Sequence, residues 1–132
     1  MIRNYVTFRC PIVFVPVSED EGILAVAGTA WFLSLLKRVD GLAVRDDICQ
    51  EDWGVVFFAK RAQLRFWIGL SAWPSDEGMW LAHFHHDSFA WRQRWSAAGQ
   101  SELERLTYDI QSVLEGNPAI SNAIWHSKHE LR

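Results

Sequence analysis

The sequence predicts an α+β fold, a two-layer sandwich in which an antiparallel meander of three to five strands packs with two or three helices. Two observations carry this. Residues 53–86 form three runs rich in β-branched and aromatic residues, separated by short polar turns. On either side lie helical patterns: the apolar run "ILAVAGTAWFLSLL" (23–36), and Leu103, Leu106, Ile110, Val113 and Leu114 at helical spacing. At 132 residues a single domain over 1–132 is expected.

The opening "NYVTFRCPIVFVPV" (4–17) reads as extended, and Pro11 and Pro16, which lack ladder donors, push it toward a sheet edge or an interruption. The acidic "SEDEG" (18–22) suits a helix N-terminus. The helix it opens, 21–38, ends in Lys37 and Arg38 and is stopped by Asp40-Gly41. Only Thr29 and Ser34 break its apolar run, so its own domain or a second chain should cover it on more than one side. A membrane span needs about twenty such residues, so this is a buried helix of a soluble protein.

In the meander, "WGVVFFA" (53–59) turns through "KRAQ" into "LRFWIGLSAW" (64–73), which turns through "PSDEG" into "MWLAHFHH" (79–86). Ser88 is placed to cap a short helix through "FAWRQRWSAAG", with Trp91 and Trp95 on one face. Ser101 and Glu104 have capping-box spacing, "EGNP" (115–118) ends the long helix, and "AISNAIW" (119–125) adds a short strand.

Register decides which side chains share a face. A five-residue "PSDEG" loop sets Trp73 opposite Met79, giving one apolar face with Ala72/Trp80, Leu70/Ala82, Ile68/Phe84 and Phe66/His86. The second face carries Ser71/Leu81, Gly69/His83, Trp67/His85 and the oppositely charged Arg65/Asp87. A four-residue "KRAQ" loop adds Trp53/Leu70, Val55/Ile68, Phe57/Phe66 and Ala59/Leu64 to the first face. It adds Gly54/Gly69, Val56/Trp67 and Phe58/Arg65 to the second. That second face is too apolar to sit bare in water, and Gly54 beside Gly69 suggests a ligand depression or a close approach by another element.

Eight tryptophans and eight phenylalanines are unusual in a chain this short, and such rings dominate cores and interfaces. The net charge of −3 gives no electrostatic case for nucleic acid. Carboxylates cluster in "SEDE" (18–21) and "DDICQED" (46–52), and the second run offers Asp46, Asp47, Glu51 and Asp52 as a patch that would steer a basic protein. Cys10 and Cys49 lack metal or redox spacing, and with no secretory signal the reading is a cytoplasmic protein with reduced thiols.

"HFHHD" (83–87) concentrates three histidines and an aspartate. Strand alternation turns His86 to the core side and leaves His83 and His85 together, a spacing that lets two metal ligands converge. With Asp87 they match H-x-H-x-D, which resembles the metal-binding run of the metallo-β-lactamase superfamily over five residues. That family continues with a histidine where Ser88 stands, needs a longer chain and carries its motif in a loop, so membership is rejected. A generic zinc or iron site on His83, His85 and Asp87 would need a further ligand, and His126, His129 or Glu130 reaches it only if the C-terminus folds back. No nucleophile elbow, phosphate loop or dinucleotide fingerprint is present.

The leading expectation is a small non-catalytic binding protein, of the general character of an immunity or inhibitor protein. It would hold a protein partner on Trp67, Trp73, His83, His85, Arg65, Gly54 and Gly69, or on the acidic patch. Homodimerisation through the first helix or the second face is a near variant. A small enzyme or metal binder centred on His83 and His85 is the alternative. No cofactor, nucleic acid or membrane is expected.

Overall fold

The computed structural model describes residues 3–10, 26–72, 78–86 and 97–131. The acidic start of the first helix, Pro11, Pro16, Trp73, most of the second meander loop, Asp87 and the segment with Ser88, Trp91 and Trp95 lie outside them. In chain order the elements are β1 (Tyr5–Arg9), α1 (Val26–Leu36), β2 (Ala43–Val44), β3 (Cys49–Glu51), β4 (Gly54–Arg61), β5 (Leu64–Ala72), β6 (Met79–His86), α2 (Ala97–Glu115) and β7 (Ser121–His126). A short 3-10 turn, Lys128–Leu131, follows.

The α+β class holds, but the sheet is larger than expected: seven antiparallel strands, not three to five. Its order is β2, β4, β5, β6, β1, β7, with β3 also paired to β4. Strand β2 spans two residues just before the acidic segment and β3 three residues inside it, both too short to show alternation. β1 is interior, between β6 and β7, where the prolines had suggested an edge. The strand ends at Arg9, before Pro11, so no ladder donor is missing from it.

Strands β5 and β6 pair in the expected register, including Trp67↔His85, Gly69↔His83 and Phe66↔His86. The β4–β5 hairpin does not. It pairs Val55↔Leu70, Phe57↔Ile68 and Ala59↔Phe66, two residues from the expected register, around the turn Ala62–Gln63. Both turn residues are left-handed, with φ of 53° and 70°. Such turns favour Asn-Gly, so Ala-Gln gave no signal and Lys60 and Arg61 looked like loop. A two-residue shift preserves the faces, which is why the core was still read correctly.

One face of the sheet meets both helices. Val6, Phe8, Val55, Phe57, Phe66, Ile68, Leu70, Trp80, Ala82 and Phe84 are buried against Phe32, Leu35 and Leu36 of α1 and Leu103, Leu106, Ile110 and Leu114 of α2. Helix α1 tightens at its end, where Arg38 N–H donates to Leu35 and Val39 N–H to Leu36, and Gly41 takes a φ of 75°. Helix α2 spans Ala97–Glu115, so Ser101 lies inside it and is not its cap. The i, i+3 spacing of a capping box also fits a helix interior.

One ionic network is built into this helix-facing layer. Arg61 Nε–H donates to Glu102 at 2.6 Å, and Nη1 donates to Asp109 at 2.8 Å and more weakly to the Asp40 carbonyl. The Arg61 and Glu102 side chains are only 10% and 9% exposed. The network ties the β4–β5 hairpin to α2 and to the end of α1.

Candidate functional site

Alternation that buries Val6, Phe8, Phe84 and Phe66 turns Tyr5, Thr7, His83, His85 and Trp67 to the other face. Among the described residues, neither helix contributes to this side. Across it run two adjacent rows. Tyr5 stands beside His83, which stands beside Gly69; next to them His85 stands beside Trp67, which stands beside Phe58.

The rings form one cluster. Trp67 stacks on His85 with centroids 4.1 Å apart, and Tyr5 stacks on His83 at 5.3 Å. Trp53 lies 5.1 Å from His83 and remains 46% exposed. Trp53 was expected on the core face opposite Leu70; it sits instead in the β3–β4 turn, and its ring lies over Gly69 beside His83. A turn residue is not bound by strand alternation.

His83 and His85 are joined directly, His83 Nδ1 to His85 Nε2 at 2.8 Å. One ring supplies the N–H and the other the lone pair, so the bond requires at least one neutral imidazole. Burial pushes the His83 pKa down to about 4. Burial, then the neighbouring charges of His83, Lys128 and His86, pushes His85 down to about 3. Both rings are neutral at neutral pH. Burial also raises the Tyr5 phenol.

The glycines do not make a depression. The space beside Gly69 is filled by the His83 ring and Trp53, while a side chain at Gly54 would meet the Leu70 carbonyl oxygen. Nor are the two glycines neighbours, because Gly69 pairs with Val56. Both mark close packing within the chain.

The remaining predicted residues are scattered. Arg65 lies directly opposite Lys60, and its expected partner Asp87 falls outside the described residues, as does Trp73. Asp46 accepts from Lys37 at 2.7 Å, and Asp47 accepts from Arg45 Nε–H at 2.8 Å. Half of the acidic patch is thus ion-paired within the chain, though in exposed pairs that contribute little. Glu51 is on β3, and Asp52 is in the turn after it.

Metal chemistry would fall to His83 and His85. Tetrahedral zinc holds ligand nitrogens about 3.3 Å apart, so the facing pair would have to open only slightly, at the cost of its hydrogen bond. Among the described residues no third His, Cys, Asp or Glu joins them. The C-terminus does fold back: β7 lies beside β1, placing His126 opposite Tyr5, where its Nε2 is 3.0 Å from the Thr7 hydroxyl. His129 and Glu130 follow in the 3-10 turn, with Glu130 engaged by the Ser127 N–H and then by Arg3, which hold its carboxyl below the usual range.

Sequence reasoning missed Tyr5, Trp53 and the Arg61–Glu102–Asp109 network. Tyr5 was legible in the alternation of β1, had that strand been placed beside β6. Comparison with known protein families, curated proteins and solved structures returned no match. The site's own chemistry therefore carries the functional reading.

Proposed function

We propose that this protein is a non-catalytic binding module that holds a protein partner on the sheet face opposite its helices. The observation that carries this is the gathering of Tyr5, Trp53, Trp67, His83 and His85 into one ring cluster, with Trp53 half-exposed at its surface. Tryptophan and tyrosine supply large, stiff contact area and recur among residues that dominate interfaces. The imidazoles suit this better than catalysis. With pKa values near 4 and 3 they are weak bases at neutral pH, far from the value a general base needs, and two of their nitrogens are bonded to each other.

The immunity-like version of this reading, docking a basic target on the acidic segment, has less support, since Asp46 and Asp47 already hold Lys37 and Arg45. The test is quantitative affinity capture from native extract with the wild type and Trp53→Ala in parallel. Trp53 is exposed enough for its loss to leave the core intact. A specific protein retained by the wild type and reduced about tenfold by the variant is the expected result, equivalent to roughly 1.4 kcal/mol. Equal retention by both, or nothing above the matrix, would reject the aromatic face as the docking surface.

A further inference from the structure

We propose that His83 and His85 form a two-coordinate site for a soft monovalent metal ion, copper(I), held between Nδ1 of His83 and Nε2 of His85. The ion would sit inside the ring cluster whether or not a protein docks on its surface.

The geometry comes from the hydrogen bond that already joins the rings. Its two nitrogens face each other at 2.8 Å, one offering an N–H and the other a lone pair. A ring N–H and the lone pair left when that nitrogen gives up its proton point the same way, so both donors are already aimed along one line. A metal–imidazole bond is about 2 Å, so a linear ion needs the nitrogens about 4 Å apart and the rings must separate by about 1 Å. The bridging proton moves to the other nitrogen of the same ring. Both ligands stay neutral imidazoles, no proton leaves the site, and the complex carries one positive charge. Burial keeps both rings uncharged at neutral pH, with pKa values of about 4 and about 3, so protons compete little for the donors.

The coordination number is set by what else reaches the pair. Among the described residues no third His, Cys, Asp or Glu joins it. His126 stands on the same side, opposite Tyr5, but its Nε2 is engaged with the Thr7 hydroxyl. Rings wall the pair instead: Tyr5 stacks on His83, Trp67 stacks on His85, and Trp53 tilts against His83. Zinc, nickel and iron(II) take four or more donors and would carry two charges into this apolar cage. The desolvation cost of an ion rises with the square of its charge, and neutral ligands do not cancel that charge. Lys128, whose charge helps depress the His85 pKa, repels a divalent ion twice as strongly as a monovalent one. Copper(I) is satisfied by two imidazoles in line, and the surrounding rings add cation–π attraction. Packing alone gives no reason for two imidazoles here, since apolar groups of the same shape would serve stability about as well.

The test uses the full chain with Cys49→Ser, which removes the exposed thiol, titrated with silver(I) as a redox-inert probe of the copper(I) site and with zinc(II). Binding is read by calorimetry and by heteronuclear NMR of the histidine ring nitrogens, alongside His83→Gln and His85→Phe in the same background. The expected result is one equivalent of silver(I) held at the pair, with the remaining ring protons on His83 Nε2 and His85 Nδ1. Either variant should weaken it by at least about a hundredfold (roughly 2.8 kcal/mol), and zinc(II) should bind less tightly than silver(I). Copper(I), kept reduced under argon, should show two nitrogen neighbours by X-ray absorption. Ring nitrogens undisturbed by silver(I) would overturn the site in a measurement that needs no variant to fold. Equal silver(I) uptake by the variants would make the histidines bystanders, and zinc(II) held as tightly as silver(I) would require a further ligand; either overturns it too. The docking face is judged separately, by capture with Trp53→Ala.

Discussion

On the helix-facing side of the sheet, Phe57, Ile68, Ala82 and Phe84 are closed off from water, and the charged network there is locked as Arg61 between Glu102 and Asp109. On the opposite side the polar atoms include the His83 and His85 nitrogens, half-buried among rings and hydrogen-bonded to each other. The difference separates what holds the fold from what is available to a partner. Substitutions on the first face should be read out in stability, and those on the second mainly in recognition and pH response.

The largest effect should come from breaking the buried network. Glu102→Ala leaves the half-exposed Asp109 as the remaining carboxylate partner of Arg61 among the described residues, and losing one member of a buried pair costs about 3–5 kcal/mol. Asp109→Asn, at the solvent edge, should cost about 1 kcal/mol or less. The paired change Arg61→Met with Glu102→Leu should recover most of the loss, because it removes both desolvated charges at once. Urea unfolding of the four proteins checks the order. If Glu102→Ala were as mild as Asp109→Asn, the network would be a surface feature and the contrast between the faces would weaken.

The two glycines test the same contrast more finely. A Cβ at Gly54 would collide with the backbone oxygen of Leu70, which cannot give way without disturbing the β4–β5 ladder. A Cβ at Gly69 would collide with the His83 ring and the far end of Trp53, both able to move. Gly54→Ala should therefore cost about 3 kcal/mol, at the upper end for overpacking, and Gly69→Ala about 1. The milder variant should nonetheless change the Trp53 fluorescence and break the His83–His85 bond, whereas Gly54→Ala should mainly lower the unfolding midpoint.

The pairing of His83 with His85 on one face was legible because strand alternation and a recognisable turn loop fix it with local information. The β4–β5 register was not, because Ala62 and Gln63 adopt left-handed conformations that their residue types do not advertise. Glu102 carries no sequence signal of its own, and Arg61 falls in the expected "KRAQ" loop. Their burial appears only once the hairpin is extended by two residues and α2 is laid against it. Trp53 was misplaced by carrying strand alternation into a turn. The acidic run 46–52 was visible as charge, but β3 within it is defined only by its pairing with β4.

The last effect is one that only the ring face can produce, and it depends on pH. The unfolded chain takes up protons at His83 and His85 around pH 6.5, while the folded values lie near 4 and 3. Below about pH 6.5 the unfolded state therefore binds more protons, and stability falls as the pH drops toward those folded values; above it, these groups contribute no slope. One pKa unit corresponds to about 1.4 kcal/mol, so by about pH 5 each ring removes at most roughly 2 kcal/mol, less where water screens it. Glu130 acts in a lower window, its contribution lost as the pH falls from its ordinary 4.5 toward 2. The measurement is the urea midpoint between pH 7.5 and 4 for the wild type and a His83→Gln, His85→Phe double variant, in which phenylalanine can keep the stack on Trp67. The double variant should lose the slope between about pH 6.5 and 5 while keeping any decline below 4.5. An unchanged slope would mean that the imidazoles are solvated well enough to protonate in place, and the ring face would then be an open surface rather than a half-buried one.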